Sequence, residues 1–573
     1  MERSTPIAHE RRVAHHLGAS NAPRLLALIA AAAGLIGIIS AATPEWPGRL
    51  SLVREYLSTS TPDVADGLVV ATSIGLLLLA RGLARRRRRA WQAAVLILAV
   101  SAVLHLIKGL DAEESIFDLV VLMLLVRNRR AFDAVGDPGG PQRAGVAVLE
   151  AFAGLVAYGF IAIAVHDAVR GADFHPLGAL RMVLYGMLGQ DVHVNPGRFQ
   201  HDVTLSLSVA TVTCAAYAVW LAVRSHQPRA GASEADRRDA RRLVEALGCD
   251  SLAWFALRRD KSYFFDAERR AFIAYRAAGG FAVVSGDPIG DPDVFGEIAD
   301  GFLRFCHERA WRVSALGVGP VGRDLWQARG LRTAYVGDEA IVRPADFSLE
   351  GRAIRKVRQS VTRLHKAGYT CNVMRAGELR PGDWAQVEQI SAAWLDGAPE
   401  RGFSMAIDDM RAPEHASAVL ALALDAEGRV AGFVHLAPVP AASGLSLSTM
   451  RRLPDTPNGL MEFVLCETFL WARKHGIARV SLNFAAFGEL LRAEGELPQR
   501  QRLMRFALGK CDRYFQVERL LAFNRKFLPL WEPRYAAFES YSDVPIAALV
   551  TLSLESLLVW PRALRRLWPE HAT

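Results

Sequence analysis

Paired cysteines are missing from this sequence: Cys214, Cys249, Cys306, Cys371, Cys466 and Cys511 are scattered, with no C-x-x-C spacing. That excludes a disulfide framework or a cysteine zinc site and leaves reduced structural thiols. Histidines do not cluster at metal-ligand spacing either, so no metal is expected. No Gly-Lys-Ser/Thr follows the glycine-rich stretch 316–322, which excludes a P-loop kinase, and the stretch is not read as a G-x-G-x-x-G turn, so a dinucleotide enzyme is not expected. Acidic residues are in deficit, 59 against 68 lysines and arginines, for a formal charge of +9. This balance favours an acidic partner, either anionic lipid head groups or nucleic acid.

Apolar residues are abundant. They fill 51% of 573 positions and give a mean hydropathy of +0.15, which points to a membrane part joined to a soluble part. Five stretches can cross a bilayer, 25–42, 64–80, 91–107, 144–165 and 203–223, and the first reads as a retained span rather than a cleaved signal. A sixth, 112–126, is shorter and opens with Glu113, Glu114 and Asp118, whereas a span takes about 20 residues. With six spans, one side holds fourteen arginines, including Arg81 and Arg85 to Arg89, and the other six cationic residues. Cationic loops stay in the cytoplasm, so a multi-pass cell-membrane protein with both termini cytoplasmic is expected. The segment 176–189, with Arg181, reads as re-entrant or interfacial. His105 and Glu150 are either packed polar residues or the lining of a lipid or ion path.

The expected order is a transmembrane domain over 1–224, a polar linker over 225–236, two α/β units over 237–370 and 371–543, and an amphipathic tail over 544–573. The two units rest on a repeat. Phe302-Leu303 and Arg312-Val313-Ser314 recur as Phe469-Leu470 and Arg479-Val480-Ser481 at a constant offset of 167 residues, each time where a helix leads into a strand. In the first copy the glycine-rich stretch either cradles phosphate on backbone N–H groups or is a plain strand-to-helix turn. Between the copies, Arg352, Arg355, Lys356, Arg358, Arg363 and Lys366 alternate with Ile354, Val357, Val361 and Leu364, and no acid intervenes. One face of that helix can pack while the other is either a solvated charge run or a polyanion-binding face that offers guanidinium groups to phosphates.

Four motifs carry a resemblance: Gly286-Asp287-Pro288 after a strand, Asn458-Gly459-Leu-Met-Glu462, Ser481-Leu-Asn483-Phe-Ala-Ala-Phe487, and Phe523-Asn-Arg-Lys526-Phe-Leu-Pro-Leu-Trp531-Glu-Pro-Arg534-Tyr535. Over most of 235–540 the chain resembles the phosphatidylglycerol lysyltransferase family, which includes the multiple peptide resistance factors. The resemblance implies a multi-span helical membrane domain followed by two tandem acetyltransferase-like folds. It also implies transfer of an aminoacyl group from aminoacyl-tRNA to phosphatidylglycerol at the inner leaflet, which reduces the surface negative charge. A separate aminoacyl-tRNA synthetase supplies the donor, and no cofactor is expected.

The ester is already reactive, so the site has only to orient it, neutralise phosphate and stabilise an oxyanion. Arg451, Lys526 and Arg534 suit the cationic roles, and Glu462 can orient them or act as base. Ser448, Asp287, Asn458, Asn483 and Trp531 are the candidate substrate-binding residues. Trp531, Tyr535 and Phe527 either stack on the terminal adenine or fill a core. Two departures stand out. Where the family has Asp-x-x-Arg, this chain has Ser448-Thr-Met-Arg451, and Asn524 replaces the first lysine of Phe-Lys-x-Lys-Phe. A hydroxyl at 448 cannot pair with an ammonium group as a carboxylate does, so the transferred residue is lysine or another amino acid. Competing readings are an acyl-CoA-dependent membrane acyltransferase and a non-catalytic scaffold that binds anionic lipid or RNA.

Overall fold

The computed structural model describes residues 22–42, 61–109, 112–134, 140–170, 173–189, 198–223, 231–397, 400, 402–486 and 517–557. Arg3, Arg11, Arg12, Arg49, Arg54, the first half of the linker, Phe487 and the tail arginines Arg562, Arg565 and Arg566 lie outside the described residues. Two compact units emerge, one built on residues 18–227 and one on 228–304 and 312–573.

The first unit is helical: α1 (Ala22–Ala42), α2 (Thr61–Ala84), α3 (Arg88–Gly109), α4 (Ala112–Arg127), α5 (Gly140–Arg170), α6 (Pro176–Met187) and α7 (Arg198–Val223). All six expected spans are helical, and α1, α3, α5 and α7 are long and apolar enough to cross a membrane. Their outward residues are mostly apolar, as with Leu28 on α1 and Leu149, Ile161 and Val165 on α5, a pattern that suits lipid better than water. Helix α6, at 12 residues, is too short to span. His105 and Asp118 are both buried and face each other at 3.9 Å, so His105 is a packed polar residue; Glu150 is exposed on α5.

The second unit opens with α8 (Glu234–Leu247), capped by Ser233, whose hydroxyl accepts from the Asp236 N–H. Strands β1 (Ser262–Phe265), β2 (Ala271–Ala278), β3 (Phe281–Ser285) and β4 (Ile289–Gly290) follow, then α9 (Phe295–Glu308), β5 (Arg312–Val318), α10 (Pro320–Gln327) and β6 (Arg332–Val342). The basic helix α11 (Arg355–Lys366) leads to β7 (Thr370–Arg375), α12 (Pro381–Leu395), β8 (Val419–Leu424), β9 (Val430–Val439) and β10 (Gly444–Arg452). Last come α13 (Leu460–Lys474), β11 (Arg479–Ala486), α14 (Val517–Asn524), β12 (Leu530–Phe538) and α15 (Val544–Leu554).

The repeat is a structural duplication. β3 and β5 pair in parallel from Phe281 with Arg312 to Ser285 with Leu316, and β10 and β11 from Gly444 with Arg479 to Ser446 with Ser481. Arg312 and Arg479 thus open the second strand of two βαβ units, crossed by α9 and α13. All the described strands belong to one sheet, β1-β2-β3-β5-β12-β6-β11-β10-β9-β8-β7, with β4 beside β2. The last strand therefore lies between two strands of the first copy, and β6 joins that copy to β11.

One face of the sheet buries Ala340, Val342, Val480, Leu482, Leu445 and Leu447 against Val357, Val361 and Leu364 of α11 and Leu460, Phe463, Val464 and Phe469 of α13. The period of α11 is the cause: its apolar residues share one stripe, leaving Arg355, Lys356 and Arg363 exposed. Phe463 is fully buried there. Phe463→Ala is expected to lower stability by about 3–5 kcal/mol, read as thermal unfolding of the purified chain, while Arg355→Ala changes it by less than about 0.5 kcal/mol.

Candidate active site

The parallel pairing of β10 with β11 stops at Ser446 and Ser481. β10 is irregular between Leu447 and Thr449, and β11 between Ser481 and Phe484, so the two strands part where Ser448 and Asn483 stand. In open α/β sheets, ligands lie in the crevice at the carboxyl ends of parallel strands. Asn483 adopts φ +69°, a left-handed conformation that asparagine tolerates better than most residues. Its Nδ2 donates to the carbonyls of Leu447 at 2.9 Å and Met405 at 3.3 Å. The Ser448 hydroxyl accepts from the Ile407 N–H at 3.1 Å.

Behind this gap lies a buried ion network. Arg534 on β12 donates from Nε to Glu339 of β6 at 2.9 Å, and from Nη2 to Glu339 and to Ser251 at 2.8 Å. Its Nη1 meets Asp250 at 2.7 Å and the Gly317 carbonyl at 3.2 Å. Four hydrogen bonds and the Asp250 ion pair thus hold the guanidinium within the chain, which makes Arg534 a positioning group. Ser481 donates to Glu339 and accepts from the Asn483 N–H at 3.0 Å, so the network reaches the parted strands. Burial opposes charge on both partners, yet Asp250 and Glu339 raise the Arg534 pKa and Arg534 holds Glu339 below the usual carboxylate range. Asp287 differs: burial and the neighbouring Asp250 push it up to about 7, against the pull of Arg534 and the Gly319 N–H.

The segment containing Glu400 and 402–408 runs beside the gap. Arg451, only 5% exposed, pairs with Glu400. Arg258 donates to the Ala406 carbonyl at 2.9 Å, and the Arg259 N–H to Asp408 at 2.8 Å. Met405 and Ile407 then complete the contacts to Asn483 and Ser448.

The remaining expected residues are on the opposite face. Trp531 packs with the Phe463 core, whereas Glu339 and Ser481 alternate with core residues and point away from it. Lys526 pairs with Glu462 at 2.7 Å in the first turn of α13. That turn is at the same carboxyl edge, since Met461 and Arg452 both pack at Gly432. The Asn458 carbonyl accepts from Arg363 of α11. Gly459 has φ +90°, and a Cβ there would lie 2.7 Å from Ser360 Oγ, so glycine is what lets this turn meet α11. Arg352, Arg355 and Lys356 are exposed, while Arg358 donates to the Leu349 and Gly351 carbonyls at 2.6 and 3.1 Å. Phe527 is core, and the Tyr535 hydroxyl accepts from Arg323 at 3.1 Å.

The glycine-rich turn holds a carboxylate of the chain itself. Gly317, Gly319 and Gly322 do have the G-x-G-x-x-G spacing, contrary to the expectation that no dinucleotide-type turn is present. Yet the Gly319 N–H donates to both oxygens of Asp287, at 3.1 and 3.2 Å. A Cβ at Gly322 would lie 1.9 Å from Asp287 Oδ1. The glycines make room for Asp287 where a phosphate would otherwise sit.

Asp250, Ser251, Glu339, Glu400 and the 402–408 segment were missed by sequence reading. The one available signal was Asp338-Glu339, two acids inside an otherwise strand-like run. Asp287 yields a pH test. The folded chain holds a proton there that the unfolded chain releases, so stability falls as pH rises from 3.8 to about 7. Asp287→Asn is expected to flatten that slope and to raise stability at pH 8 by roughly 2–4 kcal/mol, measured by thermal melts across pH.

Comparison with known proteins gives the family. The family model for phosphatidylglycerol lysyltransferase, C-terminal, matches residues 241–538. The lysylphosphatidylglycerol biosynthesis bifunctional protein LysX of Mycobacterium marinum is 31% identical over 552 residues, covering 92% of this chain and 49% of that protein. The Mycobacterium tuberculosis protein of the same name is 31% identical over 542 residues, covering 92% and 46%. The chain thus spans about half the length of the curated relatives it matches. Two solved structures share the fold of the second unit at a TM-score of 0.50. L-PGS from Bacillus licheniformis is 22% identical and covers 56% of this chain and 96% of its own; a C-terminal domain from Agrobacterium fabrum is 24% identical and covers 56% and 97%. With a model match over more than half its length, the chain belongs to the phosphatidylglycerol lysyltransferase family.

Proposed function

We propose that this chain transfers an aminoacyl group, lysine or another amino acid, from aminoacyl-tRNA to phosphatidylglycerol at the cytoplasmic leaflet of the cell membrane. The observation that carries the reading is the parting of β10 and β11 at Ser448 and Asn483, tied by hydrogen bonds to a locked guanidinium. The lipid hydroxyl oxygen attacks the ester carbonyl carbon; the carbon–oxygen bond to the tRNA ribose breaks, and the hydroxyl proton passes to the ribose oxygen. No redox change occurs and no cofactor enters.

Arg451 is the cation nearest Ser448 along β10 and supplies charge to the developing oxyanion. Its Glu400 partner keeps it oriented. Lys526 with Glu462, at the same edge but on the α11 side, faces phosphate or the donor amine. The exposed Arg352, Arg355 and Lys356 meet the tRNA backbone, whereas Arg358 mainly braces its own loop. Asn483 fixes the segment that borders the ester, and Ser448, bonded to Ile407, leaves the amino-acid pocket without the family's carboxylate. That loss favours an amino acid with no side-chain cation. A separate synthetase charges the tRNA.

Membranes containing the chain are expected to form a new ninhydrin-positive lipid, and ribonuclease should abolish it; absence of such lipid with every charged tRNA tried sinks the proposal. Arg451→Ala should lower kcat about 10²–10³-fold. Arg355→Ala with Lys356→Ala should instead raise KM for tRNA and flatten its salt dependence, with kcat kept.

A further inference from the structure

Helix α15 has an outward face with no charge. Between Asp543 and Glu555 the sequence is Val-Pro-Ile-Ala-Ala-Leu-Val-Thr-Leu-Ser-Leu. Ala547, Val550 and Leu554 pack with Phe281 and Val283 of β3 and with Phe403. The other side exposes Val544, Ile546 and Leu549, with Tyr541 just before them, at 36, 39, 50 and 68%. A helix on a soluble domain ordinarily turns charged or polar residues to water, and here both flanking acids are buried instead. Asp543 pairs with Arg312. Glu555 accepts from the Phe403 N–H at 2.6 Å and the Ser404 N–H at 3.1 Å, and its carbonyl from the Gly402 N–H at 3.2 Å.

We infer that the Tyr541, Val544, Ile546 and Leu549 face of α15 docks on an anionic phospholipid bilayer. Charge complementarity selects this occupant: the sequence that follows carries Trp560, Arg562, Arg565, Arg566 and Trp568, the residue types that settle at an anionic interface. The helix also grips the site. Glu555 holds 402–404, and the same segment continues through Met405 and Ile407 to Asn483 and Ser448. Docking therefore places the segment beside the gap next to the lipid surface. This extends the lipid-acceptor reading, and names the surface through which the acceptor arrives.

The test uses the full chain in nanodiscs of phosphatidylglycerol and phosphatidylethanolamine. Leu549→Cys carries an environment-sensitive fluorophore, and the parent chain labelled in parallel supplies the background from exposed Cys249. Lipid with a spin label in its acyl chains is expected to quench the label at 549 several-fold. Ile546→Asp with Leu549→Asp should raise KM for phosphatidylglycerol about tenfold with an unchanged melting temperature. An unquenched label overturns the inference, as does cross-linking of position 549 to a second copy. Quenching in a chain that makes no aminoacylated lipid keeps the docking surface and refutes the transferase; aminoacylated lipid with an unquenched label does the reverse.

Discussion

A single guanidinium sets the geometry of the site. Arg534 gathers Asp250, Ser251, the Gly317 carbonyl and Glu339, and through Ser481 it reaches Asn483. Breaking a buried ion pair from one side leaves charge without a partner and costs several kcal/mol. Here the loss would strand more than one acid. The elevated pKa of Asp287 comes first from burial and then from the neighbouring Asp250, which the pull of Arg534 does not offset.

The two βαβ copies have diverged at equivalent places. In the first, Ser285 still pairs with Leu316, and Asp287 fills the turn beyond. In the second, pairing ends two residues earlier relative to that register, and the equivalent positions, Ser448 and Asn483, turn instead to Ile407, Met405 and Leu447. The same βαβ unit thus ends in a closed turn in the first copy and in parted strands in the second.

Local periodicity was legible in the sequence. Apolar stretches marked the long helices, the 167-residue offset marked the two βαβ units, and Ile354, Val357, Val361 and Leu364 marked the buried stripe of α11. What was not legible depends on pairing across the sheet. Trp531 and Arg534 are three residues apart, yet strand alternation and register send them to opposite faces. Glu339 lies 195 positions from Arg534, and no short motif encodes that contact. Ser448 was legible as a missing carboxylate, but its bond to the Ile407 N–H needed the 402–408 segment in place. The glycine spacing at 317–322 was visible and still uninformative, because the group it accommodates is Asp287 from another turn.

The position of β12 bears on how the protein is made. A ribosome has translated the first copy long before residue 530 emerges, and until then β5 and β6 lack the strand that belongs between them. The nascent chain carries exposed strand edges throughout that interval, a state open to mispairing and to chaperones. A product cut short before Arg534 would have both βαβ units written in its sequence and an acidic cluster at Asp250 and Glu339 with no guanidinium to neutralise it.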